Sequence, residues 1–195
     1  MENNFAAFIL THGRPNNVKT FDALKKCGYT GKVFIVIDNE DKTAPEYRKK
    51  YGDIVIEFDK LSVAKRIDEG DNFNDRRAII YARNECFEIA KKLGVEYFIE
   101  LDDDYTTFCF KYNSEGIFKE SPCKNLDKIF NVMLAFYKNT DALSIAFAQN
   151  GDFIGGKNSK NIKSEKLLRK CMNTFICSTK RPFEFFGRIN EDVNT

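Results

Sequence analysis

The sequence predicts an α/β fold: a single domain with a mainly parallel central sheet, helices on both of its faces and a small antiparallel element. Short apolar runs alternate with amphipathic segments through the first half of the chain, as in folds with a parallel sheet. Runs such as "KVFIVID" are apolar almost throughout, which is typical of strands buried on both faces. The 195 residues suffice for one domain with a sizeable core.

The first half of the chain holds the alternating elements. Strands are predicted over 5–11, 32–38, 53–58 and 95–101, and helices over 16–28, 43–52 and 74–94. Asn16 or Asn17 is expected to cap the first helix, and Thr43 precedes Pro45 at the start of the second. Residues 59–74 are polar and irregular, so they are predicted to form a loop.

The second half of the chain supplies the remaining elements. The segments "TTFCFKY" and "IFK" flank "NSEG", a pattern that predicts a hairpin. The amphipathic segment 125–139 predicts a helix, while 142–148 and 172–178 predict further strands.

The composition is that of a soluble globular protein, with 43% hydrophobic residues, 31% charged residues and a net charge of +2. No apolar run approaches the length of a membrane span, and no basic leader precedes "FAAFIL". The six cysteines form no C-x-x-C pair and His12 is the one histidine, which disfavours a zinc site. A disulfide scaffold is not expected in a domain of this size. We therefore expect reduced thiols and a cytoplasmic location.

Three consecutive carboxylates, Asp102, Asp103 and Asp104, follow the predicted strand over 95–101. Adjacent like charges repel, and a bound Mg²⁺ or Mn²⁺ would relieve that repulsion. Ligands of open α/β sheets bind beyond the carboxyl ends of the parallel strands, which is where this triplet is expected to lie. A surface turn rich in aspartate is the alternative interpretation.

Polar side chains also follow the first two predicted strands. Arg14 is suited to a phosphate or a base, and Asp38 to a ribose or a base. Each has a simpler alternative role, Arg14 as a salt-bridge partner and Asp38 in a capping turn. Because the carboxyl ends of parallel strands share one edge, we expect these groups to converge with the acidic triplet.

The segment 157–181 carries eight lysines and arginines and one glutamate. Such a cluster indicates contacts with nucleic-acid phosphates, and a solvated charged face is the alternative. The candidate nucleic-acid contacts are Lys157, Lys160, Lys163, Lys166, Arg169 and Lys170.

The segments "FILTHGRP", "VFIVIDNE", "ARNECFEIAKKLGVEYFIELDDD" and "GRINEDVNT" together resemble the GT-A nucleotide-sugar glycosyltransferases. More narrowly, they resemble the TET-associated, phage-type DNA glycosyltransferases, and the resemblance spans essentially the whole chain. It implies a Mn²⁺- or Mg²⁺-dependent enzyme that moves a sugar from a nucleotide sugar, such as a UDP-sugar, to a hydroxymethylated pyrimidine such as hydroxymethylcytosine in DNA.

The resemblance also implies roles for individual residues. On the donor side it implies that Thr11 and Arg14 hold the nucleotide and that Asp38 holds its uracil or ribose. Arg83 would reach the donor sugar or phosphates. Asp102–Asp104 would hold the metal and the donor, with Asp102 and Asp104 as metal ligands. On the acceptor side, Glu191 or Asp192 would act as the general base. Residues 1–104 would form the donor half and 105–195 the acceptor half. Such domains normally continue past this C-terminus, so part of the acceptor half is expected to be missing.

Other functions fit the sequence less well. A nicotinamide-dependent enzyme needs G-x-G-x-x-G after its first strand, and none is present. A sugar-phosphate nucleotidyltransferase is the second choice, although "THGRPNN" holds only Gly13 where a glycine-rich phosphate loop is expected. A non-catalytic nucleic-acid-binding module would explain the basic segment and leave the acidic triplet without a reason.

Overall fold

The computed structural model describes residues 4–70, 75–158 and 171–189. Its strands are β1 (Phe5–Leu10), β2 (Lys32–Asp38), β3 (Val55–Phe58), β4 (Tyr97–Asp102), β5 (Cys109–Tyr112), β6 (Phe118–Pro122) and β7 (Thr174–Ser178). Its α-helices are α1 (Lys19–Lys26), α2 (Ala44–Tyr51), α3 (Lys60–Ala64), α4 (Ile80–Lys92) and α5 (Leu126–Lys138). Short 3-10 turns lie at Gly52–Ile54, Asn150–Phe153 and Gly156–Asn158.

A five-stranded sheet in the order β3-β2-β1-β4-β7 forms the centre of the fold. β1 pairs in parallel with both β2 and β4, and β2 pairs in parallel with β3. The last strand, β7, runs antiparallel to β4, while β5 and β6 form a separate antiparallel hairpin. The predicted fold class is therefore confirmed.

Two hydrophobic cores lie on opposite faces of the sheet, because side chains alternate along each strand. Phe5, Ala7 and Ile9 of β1 face a core that includes side chains of α1, α2 and α5. Phe8 and its neighbours of even number face a second core built with α3 and α4. Phenylalanine contributes heavily to both, with Phe8 and Phe98 packed at 5.3 Å between ring centroids. The predicted placement of helices on both faces is correct.

The junction between α1 and α5 depends on one glycine. Gly28 ends α1 with a φ of +80°, a conformation that side chains rarely adopt. A Cβ atom there would lie 2.5 Å from the carbonyl oxygen of Lys124. The neighbouring Cys27 carbonyl accepts a hydrogen bond from the Leu126 N–H at 2.8 Å. This close approach holds the start of α5 against the end of α1.

The prediction of a loop over 59–74 is wrong for residues 60–64, which form α3. The Asp59 side chain caps this helix by accepting a hydrogen bond from the Ser62 N–H at 3.1 Å. The helix has five residues, too few to show a helical period in the sequence. Two neighbouring boundaries also differ: the helix predicted over 74–94 begins at Ile80, and the strand predicted over 53–58 begins at Val55.

The strand predicted over 142–148 forms a single bridge, between Ile145 and Ile176. Side chains from elsewhere in the chain form further hydrogen bonds with the backbone of this region, where a regular strand would bond its neighbour. The Arg181 guanidinium donates to the carbonyls of Thr140 and Ala142 at 2.6 and 3.0 Å. The Thr174 hydroxyl accepts from the Phe147 N–H at 3.0 Å. Residues 142–148 therefore pair with the edge strand β7 at one position only and do not form a strand of their own.

Across the described ranges, no helix combines the length and apolar character that crossing a membrane would require.

Candidate active site

The carboxyl ends of the three central parallel strands meet at one edge of the sheet. Leu10, the last residue of β1, is paired with Val36 of β2 and with Asp102 of β4. The chain segments that leave these strands therefore begin side by side. This register brings Thr11 and the residues after it close to Asp38 and to the acidic triplet, as the sequence predicted.

Asp103, the middle carboxylate of the triplet, points into the protein. Its side chain is almost fully buried, at 2% exposure. One oxygen, Oδ2, accepts a hydrogen bond from the Thr11 hydroxyl at 2.6 Å, and Oδ1 lies 3.0 Å from Nη2 of Arg14. Asp103 thus ties the segment after β1 to the segment after β4. A buried carboxylate needs such partners, since burial without them is costly.

Thr20 fixes the backbone of the acidic turn. The Thr20 hydroxyl donates to the carbonyl oxygen of Asp102 at 2.5 Å and accepts from the Tyr105 N–H at 2.9 Å. The N–H of Thr20, in the first turn of α1, donates to the Asp103 carbonyl at 3.1 Å. The predicted cap by Asn16 or Asn17 is wrong, because Val18 takes the cap position without a side-chain hydrogen bond. The Asp103 carbonyl in the acidic turn instead accepts the hydrogen bond from a backbone N–H at the start of this helix.

Asp102 and Asp104 flank the buried carboxylate and are open to solvent. The Asp102 side chain is about one quarter exposed and Asp104 is exposed. Among the described residues, no group of three or more acidic, histidine or cysteine side chains is arranged to hold a metal ion. Mg²⁺ usually takes only one or two carboxylates and completes its shell with waters and substrate phosphates. Two solvent-accessible carboxylates on a fixed turn fit that kind of site.

The segment after β1 is held by a second set of bonds. The Gly13 N–H donates to Asp41 Oδ2 at 2.7 Å, and the Arg14 N–H donates to the Tyr47 hydroxyl at 2.8 Å. Burial would raise the pKa of Asp41, but hydrogen bonds from Thr43 and the Gly13 N–H lower it overall. Asp41 is therefore a fixed negative charge beneath this segment.

Asp38 is the centre of a polar cluster that includes two residues the sequence did not single out. Its Oδ2 lies 2.8 Å from Nδ1 of His12 and 3.3 Å from Nζ of Lys60. Lys60 is 6% exposed, which is unusual for lysine and reflects its pairing with this carboxylate. His12 is half-exposed and lies at the surface of the cluster.

A cleft of about 400 Å³ lies beside this cluster. Its polar wall includes Thr11, Arg14, Asp38 and Lys60, and its apolar wall includes Phe58 and Ile79. Such a combination suits a ligand with one flat apolar part and one charged part, as in a nucleotide. The sequence predicted three of these polar residues and missed Lys60.

Arg83 lies behind the acidic turn rather than in the cleft. It is 2% exposed, and its guanidinium stands 4.6 Å from the ring centre of Phe175 and 5.5 Å from that of Phe185. Its Nη2 is 3.7 Å from Oδ1 of Asp102. In this structure its positive charge is therefore directed at the acidic turn.

Glu100 is buried on β4 below the acidic turn, and we predict that it makes stability depend on pH. Burial raises its pKa well above the ordinary range, Arg83 opposes this, and Asp102 adds to it. The unfolded chain releases this proton near pH 4.3, whereas the folded protein retains it. Stability relative to Glu100→Gln should therefore fall as pH rises above that value, by about 1.4 kcal/mol per pH unit, until the folded protein also loses the proton.

Urea unfolding of the protein and of Glu100→Gln at a series of pH values measures this difference. Glu115→Gln, at an exposed position in the hairpin turn, is the matched control and should leave the pH dependence unchanged. If the free energy of unfolding depends on pH in the same way for the protein and for Glu100→Gln, then Glu100 ionises normally beside Arg83 and the prediction is wrong.

Several predicted site residues lie outside the described ranges. They are the acceptor-side residues Glu191 and Asp192 and the basic residues Lys160, Lys163, Lys166, Arg169 and Lys170. Lys157 is described and is exposed.

Comparison with known proteins supports the identity implied by this site. No curated protein gave a match. The sequence profile of the TET-associated glycosyltransferases matches residues 5–195, which is nearly the whole chain. The match covers β1, the acidic turn and β7 alike, as well as the segment with Glu191 and Asp192. The chain therefore belongs to the TET-associated glycosyltransferase family.

Proposed function

We propose that this glycosyltransferase moves a sugar from a nucleotide sugar, such as a UDP-sugar, to the hydroxyl of a hydroxymethylated pyrimidine in DNA, with the help of Mn²⁺ or Mg²⁺. The observation that carries the proposal is the acidic turn. It holds the partly exposed Asp102 and the exposed Asp104 at the carboxyl edge of a parallel sheet, next to a cleft suited to a nucleotide. The family supports sugar transfer in general.

The donor binds with its nucleotide in the cleft. The base lies against the apolar wall, which includes Phe58, and the ribose approaches the polar cluster around Asp38. Arg14 is half-exposed, so its guanidinium can pair with Asp103 and still offer N–H donors to a phosphate. Lys60 compensates the charge of Asp38 and keeps that carboxylate in place.

Asp102 and Asp104 would hold the divalent cation together with the donor diphosphate. The cation would neutralise the charge that develops on the departing nucleotide diphosphate. Asp103 does not compete for it, because its oxygens are engaged by Thr11 and Arg14. Its role is to hold the turn so that the carboxylates of Asp102 and Asp104 stay accessible to solvent.

Glu191 or Asp192 would act as the general base. In an inverting displacement the carboxylate accepts the hydroxyl proton while the acceptor oxygen forms a bond to the anomeric carbon. The bond from that carbon to the phosphate oxygen breaks, and the nucleotide diphosphate leaves. Neither residue is needed for donor binding in this scheme.

The proposal is tested by mass spectrometry of nucleosides after incubation of hydroxymethylated DNA with the protein, a mixture of nucleotide sugars and Mn²⁺. A nucleoside whose mass has increased by one sugar residue is the expected product. Unmodified DNA of the same sequence is the control. Release of free sugar with no modified nucleoside would contradict the proposal that DNA is the acceptor. It would not contradict membership of the glycosyltransferase family.

We predict that the basic segment over 157–181 binds DNA phosphates. Replacing Lys160, Lys163 and Lys166 together with glutamine should weaken DNA binding and flatten its salt dependence by about one unit of log–log slope per lost contact. Titrations of a fluorescent oligonucleotide at several salt concentrations measure both quantities.

The control for this prediction replaces three exposed lysines elsewhere in the chain. Lys26, Lys49 and Lys128 are exposed and lie on three different helices. Their replacement removes the same net charge. If both triple variants change the slope equally, net charge and not the segment determines binding.

A further inference from the structure

A second cavity, which we call the aromatic pocket, lies on the other side of the acidic turn. It encloses about 500 Å³ between the β5–β6 hairpin, α5 and the residues around Phe147. Six aromatic rings line it: Tyr105, Phe108, Phe110, Tyr112, Phe147 and Phe153. Polar groups also reach its wall, including Thr107, Gln149, Asn150 and the ion pair of Lys111 with Glu120.

The aromatic pocket is continuous with the acidic turn. Tyr105 lines the pocket and follows Asp104 directly in the chain. Its N–H donates to Thr20 and its hydroxyl donates to the Asn173 carbonyl at 3.2 Å, so both ends of this residue are held. Thr174 of β7, another lining residue, is paired with Leu101 of β4. The pocket therefore begins one residue from the carboxylates.

The donor cleft and the aromatic pocket use different strand ends. The cleft is lined by residues at the ends of β1, β2 and β3 and around the start of α4. The pocket is lined mainly by residues of β5, β6 and α5, with Tyr105 after β4 and Thr174 of β7. In the strand order the acidic turn at the end of β4 lies between them. The apolar lining of the cleft belongs to the core that includes α4, and that of the pocket to the core that includes α5, so the two cavities lie against opposite faces of the sheet beside this turn.

We propose that the aromatic pocket binds the pyrimidine ring of the acceptor, an assignment that rests on the proposed function. Aromatic side chains stack on the faces of any base, and the polar groups of the wall can meet the ring edges. The volume accommodates one substituted pyrimidine with its 5-hydroxymethyl group directed at the acidic turn.

This assignment has a consequence for the form of DNA that the enzyme accepts. A base inside a duplex is stacked on both faces and cannot enter a pocket, so it must rotate out of the helix. That rotation costs more free energy for a paired base than for a mismatched or single-stranded one. The KM for single-stranded and mismatched acceptors should therefore be lower than the KM for a perfect duplex.

Phe110→Ala tests the assignment. Phe110 is 43% exposed on β5, so its removal leaves both cores intact. Loss of one stacking contact should raise the KM for a hydroxymethylated oligonucleotide between about fivefold and one hundredfold. Donor affinity, measured by calorimetry, should persist because Phe110 does not line the cleft. Phe136→Ala, at a more exposed phenylalanine of α5 outside the pocket, is the matched control.

A second variant, Ala148→Phe, fills the pocket from an exposed lining position and should raise the same KM. A 2-aminopurine placed opposite the target base reports its departure from the duplex by increased fluorescence, and this increase should be lost in Ala148→Phe. Transfer by both variants with unchanged KM, while the unmodified protein glycosylates the oligonucleotide, would overturn the pocket assignment alone. Absence of any glycosylation by the unmodified protein would overturn the proposed function and the assignment with it.

Discussion

Replacing Asp104 with asparagine should lower sugar transfer by roughly 10²- to 10³-fold, because one of the two solvent-accessible carboxylates of the acidic turn no longer carries charge. Asp104 is exposed, so the fold should persist. Calorimetry should show weaker donor binding to the variant than to the unmodified protein in Mn²⁺. Addition of EDTA should weaken donor binding to the unmodified protein strongly and to Asp104→Asn only slightly.

Two further variants distinguish metal binding from a general effect of charge. Asp102→Asn should produce a similar loss, although it also removes the charge that faces Arg83 at 3.7 Å. Asp53→Asn, at an exposed position between α2 and β3, is the matched control and should behave as the unmodified protein does. Donor affinity that is the same in Asp104→Asn and the unmodified protein, with and without EDTA, would contradict the assignment of the metal.

Replacing Asp192 with asparagine should lower turnover by about 10²- to 10⁴-fold while donor binding persists. An alcohol is a poor nucleophile until its proton is being removed, and asparagine cannot accept that proton. Both Glu191 and Asp192 are candidates, so Glu191→Gln should be measured beside it. The residue whose loss has the larger effect on turnover is the general base.

The sequence offers a simpler interpretation of Glu191 and Asp192: Asn190 could cap a helix that begins at Glu191, and the first turn of a helix favours acidic residues. The two explanations differ in their readout. A helix-start role would alter the melting temperature and leave turnover per folded molecule unchanged. Normal turnover in the Asp192→Asn, Glu191→Gln double variant would exclude the role of general base, and Asp141→Asn, an exposed position, controls for the charge.

The sheet was predictable because its strands are distinct in composition. The runs that form β1 and β2 are short and apolar, and both were predicted within one residue of their observed bounds. The failures have local causes. α3 is too short to show a period. Residues 142–148 look like a strand, but they pair with β7 only at Ile145, while the side chains of Arg181 and Thr174 bond the backbone of Ala142 and Phe147. Nothing in the local pattern shows partners so distant in sequence.

The candidate site was predictable at the ends of strands and much less so elsewhere. Topology alone places Thr11, Asp38 and the acidic triplet at one edge. Lys60 was missed because a lysine after a strand is normally solvated, and only the partner Asp38 makes its burial tolerable. Thr20 was missed because it bonds the turn through its backbone N–H and its hydroxyl, and it lies 82 residues before Asp102 in the sequence.

The position of β7 has a consequence for synthesis on the ribosome. When β4 first emerges, one of its edges has no partner, because the strand that covers it is encoded more than seventy residues later. At about 5–20 residues per second, that edge stays open for several seconds. Phe175 and Phe185, the two rings that pack on Arg83, arrive in the same late interval. A nascent chain therefore cannot set this arginine behind the acidic turn until Phe175 and Phe185 have emerged. An exposed strand edge during that interval invites pairing with other chains.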